Sequence, residues 1–520
     1  MTVGPAPKAG PPQPVGTFCL VLHTHLPWVA HHGTWPVGEE WLHQAFTGSW
    51  RRVLAMLESL AAEGYSDVLT LGVTPVVASM LDDQYCLGEI HSWAGRWQLR
   101  AEQLGVQSDR SGDHATLAAH ERRAATACLA DLESRWLTGG LSAVLRPLLD
   151  ASTVELIGGP ATHPFQPLLI ERFAAAQLAV GLSDPSLRLG SKPSGIWAPE
   201  CGYAPGMEQL YQAQGISHFL VDGPAVGDRT GFGYQVADSE VVCFARDRPI
   251  SHRIWSARDG YPSGSDYRDF HTFDHGSGFR SSRVTSLDTP AQSKRPWDPA
   301  AAAAAVRRDA HRFVSDIVDR LSRLRDEHGR EALVVAAFDT ELFGHWWYEG
   351  PDFLEAVLRL LPQANVRVST LSRSREAGLL DGRIELPASS WGAGQDWRVW
   401  DNEQVADLVE ESAQVQKRLL GLLDGLFGGD CTSALQVRGR DPVADQLCRE
   451  AFLLTSSDWA FMVSRDSAAD YARARAAEHA RRFASLADLV ESGDRVAAVD
   501  LAASLQQVDG PFGHLDARTL

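Results

Sequence analysis

Two carboxylates occupy positions from which this chain could do chemistry. Glu200 lies in GIWAPECGY and Asp339 in AAFDTELFGHWW, each just past a short apolar run of the kind that forms a buried parallel strand. Glu200 stands between Pro199, which has a fixed φ, and Gly202, which permits an unusual backbone, so its carboxylate is expected to be held in one orientation at a strand end. A fixed carboxylate suits nucleophilic attack, including attack on an anomeric carbon. Asp339 is followed by Glu341, Phe343, His345, Trp346 and Trp347. Aromatic surroundings and a second carboxylate both raise a carboxyl pKa, which keeps an acid protonated near neutrality, as general-acid catalysis requires. Glu341 reads as a supporting residue. If such a pair flanks a glycosidic bond, its separation sets the outcome: retention at roughly 5–5.5 Å, inversion at roughly 6.5–9.5 Å.

Other polar residues also stand at strand ends. His23 and His25 follow FCLVL, and Asp222 follows HFLV. In a parallel barrel the carboxyl ends of the strands open on one face, so groups distant in sequence converge there. The HTH at 23–25 also has the spacing of two metal ligands, with His163, Asp222 and His345 as further candidates. No third ligand at matching spacing accompanies it, so binding of sugar hydroxyls is favoured over zinc, and neither metal nor cofactor is expected. Tryptophans (16) outnumber tyrosines (9). Indole faces stack on sugar rings, although large aromatics also fill cores.

The elements that must position these groups follow a βα rhythm. Apolar runs at Phe18 to Leu22, Val68 to Leu71, Val154 to Ile157, Gly195 to Trp197, His218 to Val221, Leu333 to Phe338 and Arg367 to Ser369 read as strands separated mostly by amphipathic helices. A (β/α) barrel is the economical expectation. One helix is bounded by its own signals: Asp298 as N-cap, Pro299 in the first turn, Val306, Phe313, Ile317 and Leu321 on one face, and Gly329 as the stop. From about 402 onward long helical patterns run without an intervening strand. The expected division is a loose tail over 1–16, a catalytic barrel over 17–400 with helical and loop insertions, and a helical domain over 401–520.

Composition narrows the partners. A net charge of −18 with pI near 5.4 disfavours nucleic acid and anionic membranes. No stretch reaches the roughly 18 apolar residues of a membrane span, and the Pro/Gly-rich start has no apolar signal core. Seven scattered cysteines without CxxC suggest neither a disulfide framework nor a cysteine zinc site, so a reducing cytoplasm fits.

Five ordered segments resemble the sequence regions of glycoside hydrolase family 57: HTHLPWVAHHGTWPVGEEWLHQA, VELIGGPATHPFQPLL, GIWAPECGY, AAFDTELFGHWWYEG and SSWGAGQDWRVWDN. A sixth, HRIWSARDGYPSGSDYRDF, is similar to a segment of that family's branching-enzyme group. The resemblance runs from about 17 to the end. It implies a distorted seven-stranded (β/α) barrel, α/β in class, with a helical insertion and an all-α C-terminal domain that walls the cleft. It implies Glu200 as nucleophile and Asp339 as acid/base of a retaining double displacement. It further places His23, His25, Trp35, His163, Tyr234, Trp255, Trp391 and Trp400 around an α-glucan, with Tyr234 matched to a tyrosine of the loop after Asp222.

The implied activity is that of a 1,4-α-glucan branching enzyme. A 4-α-glucanotransferase or an α-amylase-like hydrolase on the same fold is the alternative. A zinc-dependent hydrolase or deacetylase using His23 and His25, and a noncatalytic glucan-binding scaffold, are readings of other classes. Two departures from the group's pattern stand out: the loop after Asp222, GPAVGDRTGFGYQVADSE, is short, and Trp397 replaces a histidine.

Overall fold

The computed structural model describes residues 14–34, 37–107, 112–256, 258–428 and 439–520. Among these residues there are ten strands: β1 Thr17–Thr24, β2 Leu69–Val73, β3 Val154–Ile157, β4 Gly195–Ile196, β5 His218–Asp222, β6 Gly233–Val236, β7 Val242–Arg246, β8 Leu333–Asp339, β9 Arg367–Val368 and β10 Leu380–Ile384. They form two sheets. The first has the order β3-β2-β1-β8, with β9 also on β1; the second has the order β10-β6-β7-β5-β4. Every pairing is parallel except that of β6 with β7.

Two seams join the sheets. At one, the Gly158 N–H donates to the Gly195 carbonyl and the Trp197 N–H to the Gly158 carbonyl, both at 2.9 Å. At the other, the Asp247 N–H donates to the Val335 carbonyl at 2.8 Å. Strands β1, β2, β3, β4, β5, β7 and β8 thus form two arcs that meet end to end.

Strands buried on both faces read as continuous apolar runs, and all eight residues of β1 are buried. Their side chains still alternate. Phe18, Leu20 and Leu22 pack outward into the large core with the helices, whereas Cys19 and Val21 point inward with Leu220, Phe244, Val335 and Ala337. Following that inward parity to the carboxyl end of each strand gives His23 on β1, Asp222 on β5, Arg246 on β7 and Asp339 on β8. His23 and Asp339 are direct cross-strand partners. An apolar interior therefore ends in a polar mouth.

Six of the seven expected runs are strands of these arcs. The seventh, at 367–369, is only the two-residue β9 opposite Thr17 and Phe18 at the amino end of β1. Its expected place is taken by β7, which sequence reading missed. The chain passes from β5 to β7 through β6, antiparallel to β7, rather than through a helix, so the βα rhythm breaks where β7 lies.

Between β2 and β3 stand the helices Gln84–Gln107, Gly112–Asp131 and Leu137–Asp150. The helix Pro299–His328 begins as expected: the Asp298 carboxylate accepts the Ala300 N–H at 2.9 Å, and Gly329 at φ 67° ends it. Beyond 401 the described residues form five α-helices, Ala406–Phe427, Pro442–Leu454, Ser457–Ser464, Ala469–Ser492 and Arg495–Gln506. The start of the third packs against the segment after β3, where the Ser457 N–H donates to the His163 carbonyl at 3.0 Å.

Candidate active site

Glu200 sits in a tight turn, Pro199–Cys201, directly after β4. The unusual backbone falls on Glu200 (φ 61°) and Cys201 (φ 50°) rather than on Gly202, whose φ of −69° is ordinary. Holding two residues with side chains in the left-handed region costs on the order of 1–3 kcal/mol each, so the surrounding structure must impose it. Gly202 is needed for a different reason: a Cβ there would lie 2.7 Å from the Phe165 ring. The turn is pinned through the Glu200 carbonyl, which accepts the Trp391 N–H at 2.9 Å.

The Glu200 carboxylate is buried and doubly bound. Ser457 donates its hydroxyl to Oε1 at 2.9 Å, and the Trp391 indole donates to Oε2 at 2.9 Å. Burial pushes this carboxyl up to about 7; the Trp391 bond works against that, and the charge of Asp458 adds to it. Asp339 ends β8 half-buried, and among the described residues no hydrogen bond reaches its carboxylate. Burial, then the charges of Glu341 and Glu200, hold it well above the ordinary aspartate range. Glu341 is buried, accepts the Trp50 indole N–H at 2.5 Å, and is pushed up to about 7, mainly by burial.

A chain of hydrogen bonds backs the Glu200 carboxylate. His163 Nδ1 meets Ser457 Oγ at 2.9 Å, and His163 Nε2 meets His23 Nε2 at 3.0 Å. His23 stacks on Trp197 at 4.4 Å, and His25 stacks on His163 at 3.8 Å. His25 is held between Thr74 (3.0 Å) and Asp458 (2.9 Å). Burial and the neighbouring imidazoles keep His23 and His163 well below the usual histidine pKa, hence neutral. Asp458 is the exception among the carboxyls: burial opposes its charge, but the pairing with His25 outweighs burial and lowers its pKa.

The metal question changes with the structure. Sequence spacing showed no third ligand beside the HTH, yet ligand atoms of His25, His163 and Asp458 lie within 4.8 Å of one another. All four ring nitrogens of His25 and His163 already have hydrogen-bond partners, so a cation would have to displace that network.

The aromatic candidates separate. Trp391 is half-buried, with Arg246 5.3 Å from its ring and Trp255 stacked at 6.3 Å. Trp255 is 42% exposed at the end of the helix Arg248–Trp255, where a face is free to receive a ligand. Trp400 is 1% exposed and stacks on Phe165 at 4.5 Å. It therefore backs Gly392 and Trp391 and offers no open face, contrary to expectation. Trp397 lies beside it, donating to the Tyr203 carbonyl at 3.3 Å. Tyr234 is also corrected: it is buried in β6 opposite Cys243, with Arg229 over its ring, near the amino end of β7 and away from Glu200. The strand β6 occupies the segment from which a loop tyrosine was expected. Trp35 lies outside the described residues.

Sequence reading missed Ser457 and Asp458, which reach the site from more than 250 residues beyond Glu200, and Arg246, which closes on Asp222 at 2.9 Å from the unread strand β7. No local pattern marks the serine and aspartate of TSSDW.

Residues 19–380 match the model of glycosyl hydrolase family 57, and residues 432–520 match that of the 1,4-alpha-glucan branching enzyme C-terminal region. A Mycobacterium tuberculosis protein described as a probable 1,4-alpha-glucan branching enzyme is 48% identical over 518 residues, 97% of this chain and 98% of that one. The crystal structure of a GH57 branching enzyme from Thermococcus kodakaraensis, in complex with glucose, superposes with a TM-score of 0.88 at 31% identity, covering 97% of this chain and 96% of that chain. The alpha-amylase AmyC of Thermotoga maritima superposes with a TM-score of 0.84 at 26% identity, covering 97% and 98%.

Proposed function

The chain belongs to glycosyl hydrolase family 57, and from that membership we propose that it is a retaining 1,4-α-glucan branching enzyme, cleaving α-1,4 links and re-forming them as α-1,6 branches. The observation that carries this reading is the origin of Ser457 and Asp458. The segment that matches the branching-enzyme C-terminal model supplies the hydroxyl bound to Glu200 and the carboxylate bound to His25.

In this reading Asp339, kept protonated by burial and by its carboxylate neighbours, gives its proton to the departing glycosidic oxygen. The Glu200 carboxylate attacks the anomeric carbon and forms a glycosyl ester with inversion. Asp339, now ionised, takes the proton of a glucan 6-hydroxyl, whose oxygen attacks the same carbon and expels Glu200 with a second inversion. Trp391 and Ser457 hold Glu200 in line; Trp255 and Trp391 supply stacking faces for chain segments; Trp400 acts behind them. The reaction needs no metal. The substrate is an α-glucan of glycogen or amylose type. A cytoplasmic setting agrees with six free, buried cysteines among the described residues, and no helix among those residues is long and apolar enough to cross a membrane.

A second reading, hydrolysis, is favoured by two observations: the scaffold that matches throughout this chain also carries an alpha-amylase, and the segment after Asp222 folds into β6 instead of a covering loop. Incubation with amylose followed by enzymatic debranching separates the readings. Branching predicts new side chains; reducing ends without branches mean hydrolysis, and redistributed linear chains mean 4-α-glucan transfer. Loss of all activity on chelation, restored by zinc, would overturn the metal-free mechanism.

A further inference from the structure

A second cavity lies apart from the catalytic carboxylates, with a volume of about 360 Å³, within the roughly 300–1,000 Å³ range of ligand pockets. It is walled by the inserted helices between β2 and β3, by the segment 268–280, and by residues 344–348 of the loop that follows Asp339. Glu200, His23, His163, Trp391 and Ser457 do not line it.

Its surface has two components. Trp93, Trp97, Phe273 and Trp346 provide aromatic faces, and Phe273 (46%) and Trp346 (40%) are among the large apolar side chains exposed to solvent in the described residues. Arg100 and Arg280 provide planar donors. Neither is ion-paired with a carboxylate among the described residues, whereas Arg268 is bound to Glu121 and Lys294 to Asp269. Arg100 Nε is buried with no hydrogen-bond partner, and burial holds both guanidiniums below their usual pKa. Glu40 and Gln44 add acceptors to the same wall, so the cavity is not purely cationic.

Flat apolar faces set beside planar forked donors and carboxyl acceptors match one ligand chemistry closely: a neutral ring with an apolar C–H face and vicinal hydroxyls on its edge. The geometry points to a second saccharide site, outside the catalytic cleft, that holds a segment of the α-glucan polymer; this rests on the proposed function above. The site is coupled to the catalytic loop. The His345 and Trp346 N–H groups both donate to the Glu341 carbonyl at 3.2 Å, and Gly344 lies against Gly48 so closely that a Cβ would sit 2.1 Å from its carbonyl oxygen. A chain anchored there is tethered beside the segment that carries Asp339, which raises its effective concentration at the cleft.

The test uses the full chain with Phe273→Ala and Arg100→Ala, singly and together, since Phe273 is exposed and its loss leaves no cavity in the core. Retardation in native gels containing glycogen is measured beside transfer activity on maltoheptaose. The expected result is glycogen affinity weakened by about tenfold in the double variant, with maltoheptaose turnover unchanged. Unchanged retardation overturns the inference. Parallel loss of retardation and maltoheptaose turnover also overturns it, because the cavity would then belong to the catalytic cleft. If the wild-type protein transfers α-glucan but is not retarded by glycogen, this inference fails and the proposed function stands; if it does neither, both fail.

Discussion

Replacing Glu200 with Gln removes the ionisable group and keeps its shape, and the structure predicts a pH-dependent gain in stability alongside lost turnover. Burial raises this carboxyl from 4.5 to about 7. The folded protein thus holds the proton to higher pH than the unfolded chain does. The cost of folding around the ionised form is absent below pH 4.5, grows as pH rises, and is complete above 7. At about 1.4 kcal/mol per pH unit the whole interval amounts to about 3 kcal/mol, of which roughly 2.5 accrue between pH 5 and pH 8.5. Glutamine keeps an acceptor for the Trp391 indole and can donate to Ser457, so the change in hydrogen bonding is the same at both pH values and cancels in the comparison. With an unfolding entropy of about 2 cal/mol/K per residue, 520 residues translate 2.5 kcal/mol into a Tm difference of about 2 °C. Thermal unfolding of wild type and Glu200→Gln should show the variant gaining about 2 °C more at pH 8.5 than at pH 5. An equal change at both pH values, or a loss that deepens with rising pH, would refute the argument that burial of an ionised Glu200 destabilises the fold.

The same charges shape activity. kcat/KM should be bell-shaped in pH, falling below about 7 as Glu200 takes up a proton and falling again at higher pH as Asp339 loses its own, the two midpoints belonging to the coupled pair; an acid limb near pH 4 would contradict it. Asp339→Asn should slow glucan transfer by about 10²- to 10⁴-fold but slow far less the use of α-glucosyl fluoride, whose leaving group needs no proton; equal losses on both donors would remove Asp339 as the acid. Ser457→Ala deletes one of the two hydrogen bonds that stabilise ionised Glu200, a bond worth about 1.5–3 kcal/mol when charged. It should move the acid limb to higher pH with the fold intact, and an unmoved limb would mean that Ser457 only packs.

Legibility in the sequence followed the range of the forces involved. Asp339, His23 and Asp222 could be placed because each continues the inward parity of an apolar strand, and Glu200 because it follows a short apolar run and lies between Pro199 and Gly202, patterns contained in a few neighbouring residues. Strand β7 carries an equally apolar core, Val242 to Ala245, yet it was passed over because the hairpin-like β6 replaces the helix that the βα rhythm demands, and Arg246 went with it. Ser457 and Asp458 depend on how a distant helix docks on the segment after β3, and nothing in TSSDW encodes that. Tyr234 was drawn toward the site by its place in a short segment after Asp222, whereas pairing with β7 and β10 claimed the segment for a sheet. At Gly202 the error was of kind: the glycine answers a close approach of the Phe165 ring, and the strained conformation is carried by Glu200 and Cys201.

That strain and the buried charges belong to one arrangement. Three carboxyls, Glu200, Asp339 and Glu341, are gathered where burial disfavours ionisation, and only Asp458 is held low by its histidine. Such a cluster is costly when the site is at rest. As a glycosidic bond breaks, positive charge develops at the anomeric carbon, and a carboxylate about 4 Å away gains about 4 kcal/mol at an effective dielectric constant near 20. This is comparable with the roughly 3 kcal/mol that burial costs ionised Glu200, and it arises only in the transition state, where added stabilisation accelerates the reaction. The gain requires a carboxylate already in position, because reorientation during bond cleavage would consume it. The left-handed turn at Glu200 and Cys201, held by the Trp391 amide, indole and Ser457 hydroxyl, provides that position in advance. Relaxing the turn would therefore be expected to stabilise the protein and slow the chemistry together.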